Sequence, residues 1–163
     1  AKACAASVVA LAGANPDEEL RMPVAKKLPG IDHVWNVQKD DVPSLVQELT
    51  RGRGADLVVE ASGSEGGIAL ALKLVRKLGR VAAIGLTGRE KIQFPYETGM
   101  TKAVRLIFNM STSYTSWDRA IYLLSSGKID VRPLITHKGG LEKWEEFFKV
   151  LDEKKGIKGL FIP

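Results

Sequence analysis

A doubly wound α/β fold built on parallel strands is what this chain predicts, and three observations predict it. The first is the stretch Gly52 to Leu86, which reads strand, helix, strand. ADLVVEAS is an apolar run of strand length, Ile68, Leu72 and Val75 then share one helix face, and RVAAIGL is a second apolar run. Two continuously apolar strands joined by a crossover helix make a parallel unit buried on both faces. The second is a glycine or small residue wherever a strand meets a helix in that stretch, with Gly63-Ser64 a turn and helix cap and Gly79 the expected helix end. The third is the alternation of strand and helix patterns along the rest of the chain.

The elements follow in order. Ala1 to Ala6 reads as the last turns of a helix, and Ser7 to Ala12 as a buried strand. Asn15-Pro16-Asp17 opens a helix with a cap, a first-turn proline and acids facing the positive dipole end. Pro23 breaks or restarts it, Pro29-Gly30 stops it, and His33 to Val37 is a short strand. Asp41 caps a helix with Val42, Leu45, Val46 and Leu49 on one face, closed by Gly52. After the parallel unit, Phe94-Pro95-Tyr96 begins a short helix or turn and Val104 to Met110 is a strand. Thr115 to Ser126 reads as a helix capped by Thr115, with Asp118 three residues on and Gly127 at its end. Leu134 to His137 is a strand, Leu141, Trp144, Phe148 and Leu151 lie on one helix face, and Lys158 to Ile162 is the last strand.

Composition narrows the function. The chain has 163 residues, long enough for one domain with a real core. No apolar run approaches the ~20 residues of a membrane span and no basic-then-apolar leader is present, which predicts a cytoplasmic protein with no membrane partner. The single Cys4 excludes an internal disulfide framework and any metal site needing several cysteines from this chain; it reads as a buried helix residue. The net charge of +5 comes from lysines and arginines spread singly among acids, a solvated surface rather than a nucleic-acid footprint.

The wording GADLVVEASG, then LKLVRKLGRVAAIGL, then PLITHKGGLEKWEE resembles the zinc-dependent medium-chain alcohol, polyol and threonine dehydrogenases. The resemblance covers nearly the whole chain and implies the carboxyl-terminal, cofactor-binding portion of such an enzyme. The fold it implies is an incomplete doubly wound (Rossmann) sheet, lacking its first strand and fingerprint, followed by a strand-helix-strand tail from the catalytic domain. Residues 1–127 would be the later part of the nucleotide-binding domain. Residues 128–163 would pack on a catalytic domain not in this chain, leaving a face with Trp144, Phe147 and Phe148 partly uncovered.

The resemblance also implies the chemistry: hydride transfer between a secondary alcohol or polyol and NAD or NADP, with zinc as Lewis acid. The zinc ligands are not in this chain, which by itself is expected to be inactive. Cofactor contacts carried over are Ala61, Ser62 and Gly63 beneath the adenosine half, Gly85 and Leu86 at the nicotinamide, and Asn109, Met110 and Ser111 beside it. Lys158 matches a basic position that approaches the pyrophosphate. Relatives are dimers or tetramers, so the apolar strand Val104 to Met110 is expected to form a homo-oligomer through its edge. A zinc-free quinone-reductase-like enzyme and a non-catalytic binding or assembly module are the alternatives.

Around these positions the residues read more plainly. No GxGxxG exists here; Gly63-Ser64-Glu65-Gly66-Gly67 follows a strand but has the wrong spacing, and Glu65 sets a negative charge where a phosphate would lie. It reads as a tight turn with helix packing. The strand end Ala12-Gly13-Ala14-Asn15 carries no acid for a ribose 2′-OH. Asp17 is either a first-turn helix acid or a substitute for it, and Arg21 nearby would tolerate a 2′-phosphate, so NAD and NADP both stay open. His33 and His137 stand without ligand spacing and read as structural.

Overall fold

The computed structural model describes residues 1–163. In chain order its elements begin with β1 (Ala10–Gly13), α1 (Arg21–Lys27), β2 (His33–Asn36), α2 (Val42–Leu49), β3 (Ala55–Glu60), α3 (Glu65–Leu74) and β4 (Val75–Ala83). They continue with α4 (Tyr96–Thr101), β5 (Arg105–Phe108), α5 (Tyr114–Ser125), β6 (Ile135–Gly139), α6 (Trp144–Asp152) and β7 (Lys158–Phe161). All strand pairings are parallel, and they form three sheets ordered β1-β2, β3-β4-β5 and β6-β7. No helix is long and apolar enough to cross a membrane. The chain divides into a central unit, Asp41–Thr112, and a terminal unit made of Ala1–Asp40 and Ser113–Pro163.

The central unit holds β3-β4-β5 and its own core. Ala71 and Leu72 on α3 pack with Val75 and Val81 on β4, against Val58, Val104 and Leu106. Only one face of this sheet is covered that way. Leu57 and Val59 stay 48% and 55% exposed, so β3 is half-buried rather than buried on both sides as its continuous apolar run suggests. Val58 and Glu60 point to the helix side because successive strand residues alternate.

Helix α3 starts as expected, with Ser64 Oγ accepting from Gly67 N at 3.0 Å after Gly63 at φ +63°. Its end departs from the sequence reading. The helix stops at Leu74 rather than at Gly79, and buried Val75 already pairs with Ala55 in the sheet. The ladder resumes only at Leu57 and Arg80, so Arg76 to Gly79 bulge out, with Leu78 at φ +56°. What replaces a glycine cap is Lys102: its Nζ donates to the carbonyls of Leu72, Lys73 and Val75 at 2.7–2.8 Å. Its own carbonyl accepts from Leu78 N at 2.7 Å. The last carbonyls of a helix need such partners, and a lysine there also meets the negative dipole end. Burial pushes the Lys102 ammonium below its ordinary pKa. Asp41 caps α2 as predicted, accepting from Ser44 N at 3.2 Å.

In the terminal unit α1 packs on β2 with Met22 and Ala25 buried. Asn15–Asp17 is a separate 3-10 turn, and the helix restarts at Arg21, which puts Pro23 in the first turn where no amide is needed. The strand expected over Ser7 to Ala12 begins only at Ala10, and Ala10, Leu11 and Ala12 are exposed rather than buried. Lys2–Cys4 is one 3-10 turn, and Cys4 is exposed, not a buried helix residue.

Helix α5 is capped by Ser113, not Thr115: Ser113 Oγ accepts from Ser116 N at 3.3 Å. Gly127 follows its end at φ +67°, and none of its residues is buried. On α6 the buried side chain is Phe147, 4% exposed, stacked on Phe161 at 5.3 Å with His137 edge-on at 5.7 Å. Leu141, Trp144 and Phe148 are exposed, so the face expected to stay uncovered keeps Trp144 and Phe148 but loses Phe147, which seats the helix on β7.

Candidate strand-end site

The central sheet ends on one row. Glu60 pairs with Ala83 and Ala83 with Phe108, so β3, β4 and β5 finish in register. The segments Ala61–Gly63, Ile84–Leu86 and Asn109–Ser111 all leave the sheet immediately past that row. Parallel strands with a common carboxyl edge present their turns to one side, where ligands of open α/β sheets bind. Eight of the nine cofactor positions expected from sequence therefore stand along one edge: Ala61, Ser62, Gly63, Gly85, Leu86, Asn109, Met110 and Ser111. The ninth, Lys158, opens β7 in the terminal unit, where it is exposed and paired with Ile135.

The turns approach each other closely. A Cβ on Gly63 would overlap the Leu86 carbonyl, and one on Gly85 would overlap the Gly63 nitrogen. Only glycines permit this backbone contact, and Gly63 also needs its left-handed φ. The Glu60 carbonyl accepts from Ile84 N at 2.9 Å and Gly85 N at 3.1 Å, and the Ala83 carbonyl accepts from Asn109 N at 2.9 Å. Leu86, Phe108 and Met110 are strongly exposed beside these turns. Backbone polar groups next to bare apolar side chains suit a flat aromatic or amide-bearing ring.

The edge does not fit a pyrophosphate at Gly63–Gly67. Ser64 takes the Gly67 amide, and Glu65 sits there with Arg89 as its ion-pair partner at 3.2 Å. The glycine-rich stretch is a capped turn, as its spacing suggested.

Sequence reasoning puts Glu60 at a ligand-binding strand end but gives its side chain no role; it is the buried acid of the central unit, at 4% exposure. The available signal was an acid closing an otherwise apolar strand. Its carboxylate accepts from Ser62 N at 2.8 Å, from Ser62 Oγ at 2.5 Å and from Gly63 N at 3.2 Å. Lys102 was missed, because nothing local marks a lysine that caps a helix 27 to 30 residues earlier.

The end of β1 in the terminal unit has its own arrangement. Asp17 Oδ2 accepts from Ala14 N at 3.1 Å, and its Oδ1 holds Arg21 at 3.0 Å. A cavity of about 280 Å³ opens here between Gly13, Asp17, Arg21, Met22, Leu134 and Ile157. Arg21 is therefore committed to a carboxylate. The two histidines are packed side chains: His33 stacks on Trp35 at 5.4 Å, and His137 Nδ1 lies 2.9 Å from Thr136 Oγ1. No three His, Cys, Asp or Glu side chains come together as a metal site, so the donor set does not fit zinc.

The family model described as zinc-binding dehydrogenase matches residues 1–126. A sorbitol dehydrogenase of Halalkalibacterium halodurans is 32% identical over 147 residues, covering 90% of this chain and 43% of that protein. An L-threonine 3-dehydrogenase of Pyrococcus furiosus is 33% identical over 153 residues, 88% of this chain and 42% of its own length. The chain thus spans less than half the length of these curated relatives. Among solved structures, an alcohol dehydrogenase of Thermotoga maritima superposes with a TM-score of 0.88 over 99% of this chain and 45% of that one. Its 20% identity speaks for the fold alone.

Proposed function

The chain belongs to the zinc-binding dehydrogenases, and on that premise we propose that it is the NAD(P)-binding part of an oxidoreductase. The reaction would move hydride between a secondary alcohol or polyol and the nicotinamide. The observation that carries the reading is the common carboxyl edge of β3, β4 and β5, with eight expected contact positions along it. Strand pairing supports it further. A doubly wound sheet of order 3-2-1-4-5-6 that lacks strand 1 keeps a parallel pair and a parallel trio. Those are the β1-β2 and β3-β4-β5 pairings found here.

The cofactor supplies the hydride chemistry; this chain's residues supply position. Ala61–Gly63 and Gly85–Leu86 would offer backbone groups, Asn109–Ser111 would wall the nicotinamide pocket, and Lys158 would approach the pyrophosphate. NAD is the preferred partner over NADP, because Arg21 is held by Asp17 and the Asp17 carboxylate lies near Gly13, where a ribose hydroxyl would be accepted. Zinc would be held by the part of the relatives that this chain does not span, and with it the alcohol. Residues 128–163 would pack on that part through Leu141, Trp144 and Phe148. The outer edge of β5, with Phe108 79% exposed, would pair with a second copy.

The test is an NMR titration of the 163-residue chain with NADH and NADPH. Shifts at Gly63, Gly85 and Ser111, larger for NADH, with no alcohol turnover in added zinc, are the expected result. Zinc-dependent turnover by this polypeptide, or shifts confined to other residues, would overturn the assignment.

A further inference from the structure

We propose that Glu60 is the positioning residue of the strand-end site, its buried carboxylate locking the Ala61–Gly63 turn against Ile84–Leu86 before any ligand arrives. The ligand's identity rests on the cofactor reading above; the lock itself does not.

The geometry is a double tie from a single residue. The Glu60 side chain accepts from the turn that follows it, at Ser62 N, Ser62 Oγ and Gly63 N. Its main-chain oxygen accepts from the neighbouring turn, at Ile84 N and Gly85 N. No lysine or arginine pairs with this carboxylate, so backbone amides and a hydroxyl carry its charge. Burial without such donors would be costly, and charge-assisted bonds of this kind are the strong ones.

Two glycines wall the carboxylate. A Cβ on Gly67 would lie 2.9 Å from Oε1, and one on Gly85 would lie 2.8 Å from Oε2. The glycines at 63, 67 and 85 therefore have a purpose that a phosphate loop does not explain: they make room for Glu60 and for the backbone contact it holds. Because its oxygens are turned onto protein donors, Glu60 acts through the turns and not by touching a ligand.

The experiment compares Glu60→Gln, Glu60→Asp and Glu60→Leu in the 163-residue chain by amide hydrogen exchange and NADH titration. Leu is expected to speed exchange at Ser62 and Gly63 by about tenfold, with Val81 and Leu106 unchanged. Gln keeps the Oε1 acceptor and should stay within about threefold of the parent. Asp keeps the charge but withdraws it by a methylene, and should behave like Leu. NADH affinity should fall in the same order. If the Leu variant fails to fold, the Asp and Gln variants decide the matter between them. Equal exchange in all variants would overturn the proposal, as would Asp behaving like the parent, since the lock requires the reach of the Glu60 side chain to Ser62 and Gly63. The expected exchange order with no NADH shift in any variant would support the lock and remove the cofactor reading.

Discussion

The central unit, Asp41–Thr112, and the terminal unit differ in how they complete a core. In the central unit three strands and a crossover helix bring Ala71, Leu72, Val75 and Val81 into one cluster. Both ends of that sheet are tied, by Glu60 at the carboxyl edge and by Lys102 at the end of α3. The terminal unit has two two-stranded sheets, with burial scattered over Met22 and Ala25 on α1 and Phe147 on α6. Its α5 buries nothing and exposes Tyr114, Trp117, Ile121 and Tyr122. Two strands rarely close a core, whereas three strands under a helix can. The candidate site stands on the unit that has a core, as a preorganised backbone surface requires.

The contrast can be broken first at the cores. Leu72→Ala, at a fully buried position, should cost about 2–5 kcal/mol, while Trp117→Ala on α5 should stay within about 0.5 kcal/mol. Urea unfolding measures both, and comparable losses would erase the distinction. A smaller effect tests the tie at the far end of α3. Lys102→Met keeps the aliphatic stem but strands three carbonyls, and should cost about 1–3 kcal/mol. Exchange at Leu78 N should quicken in step, and a silent substitution would mean those carbonyls find other partners.

The smallest effect is acid sensitivity, followed at one arginine pair in each unit. The Arg132 guanidinium holds the Asp130 carboxyl down to about 2, from an ordinary 3.8, and Arg76 lowers Asp56 in the same way. Since the folded values lie below the unfolded ones, the contribution is complete above 3.8 and is lost as pH falls, for Asp130 through about 2. The stability gap between the parent and Asp130→Asn should therefore shrink between those pH values. A gap that stays constant there would show the pair to be solvated in both states.

Much of this was legible locally. Asp41 and Ser64 announced their helices because a cap is a contact across three residues. The parallel order followed from apolar runs and from the glycines between them. Misreadings arose where distant residues intervened. Gly79 looked like a helix end, yet Val75 joined the sheet and Lys102 took the carbonyls, so the helix stopped a turn early. The face with Trp144, Phe147 and Phe148 was expected to stay partly uncovered; Trp144 and Phe148 do, but the small Gly159 and the ring of Phe161 bury Phe147.

By itself the sequence determined the alternation of strand and helix, the family, and the segments that would leave the sheet at its carboxyl edge. The alternation and the turn segments rest on periodicity and on backbone permissions that each residue carries with it, and the family on its resemblance over three separated stretches. Only the tertiary structure decided that three strand ends finish on one row and that a single buried glutamate ties two turns. Register and burial depend on which residues meet across the sheet, and a chain read one residue at a time does not contain that meeting.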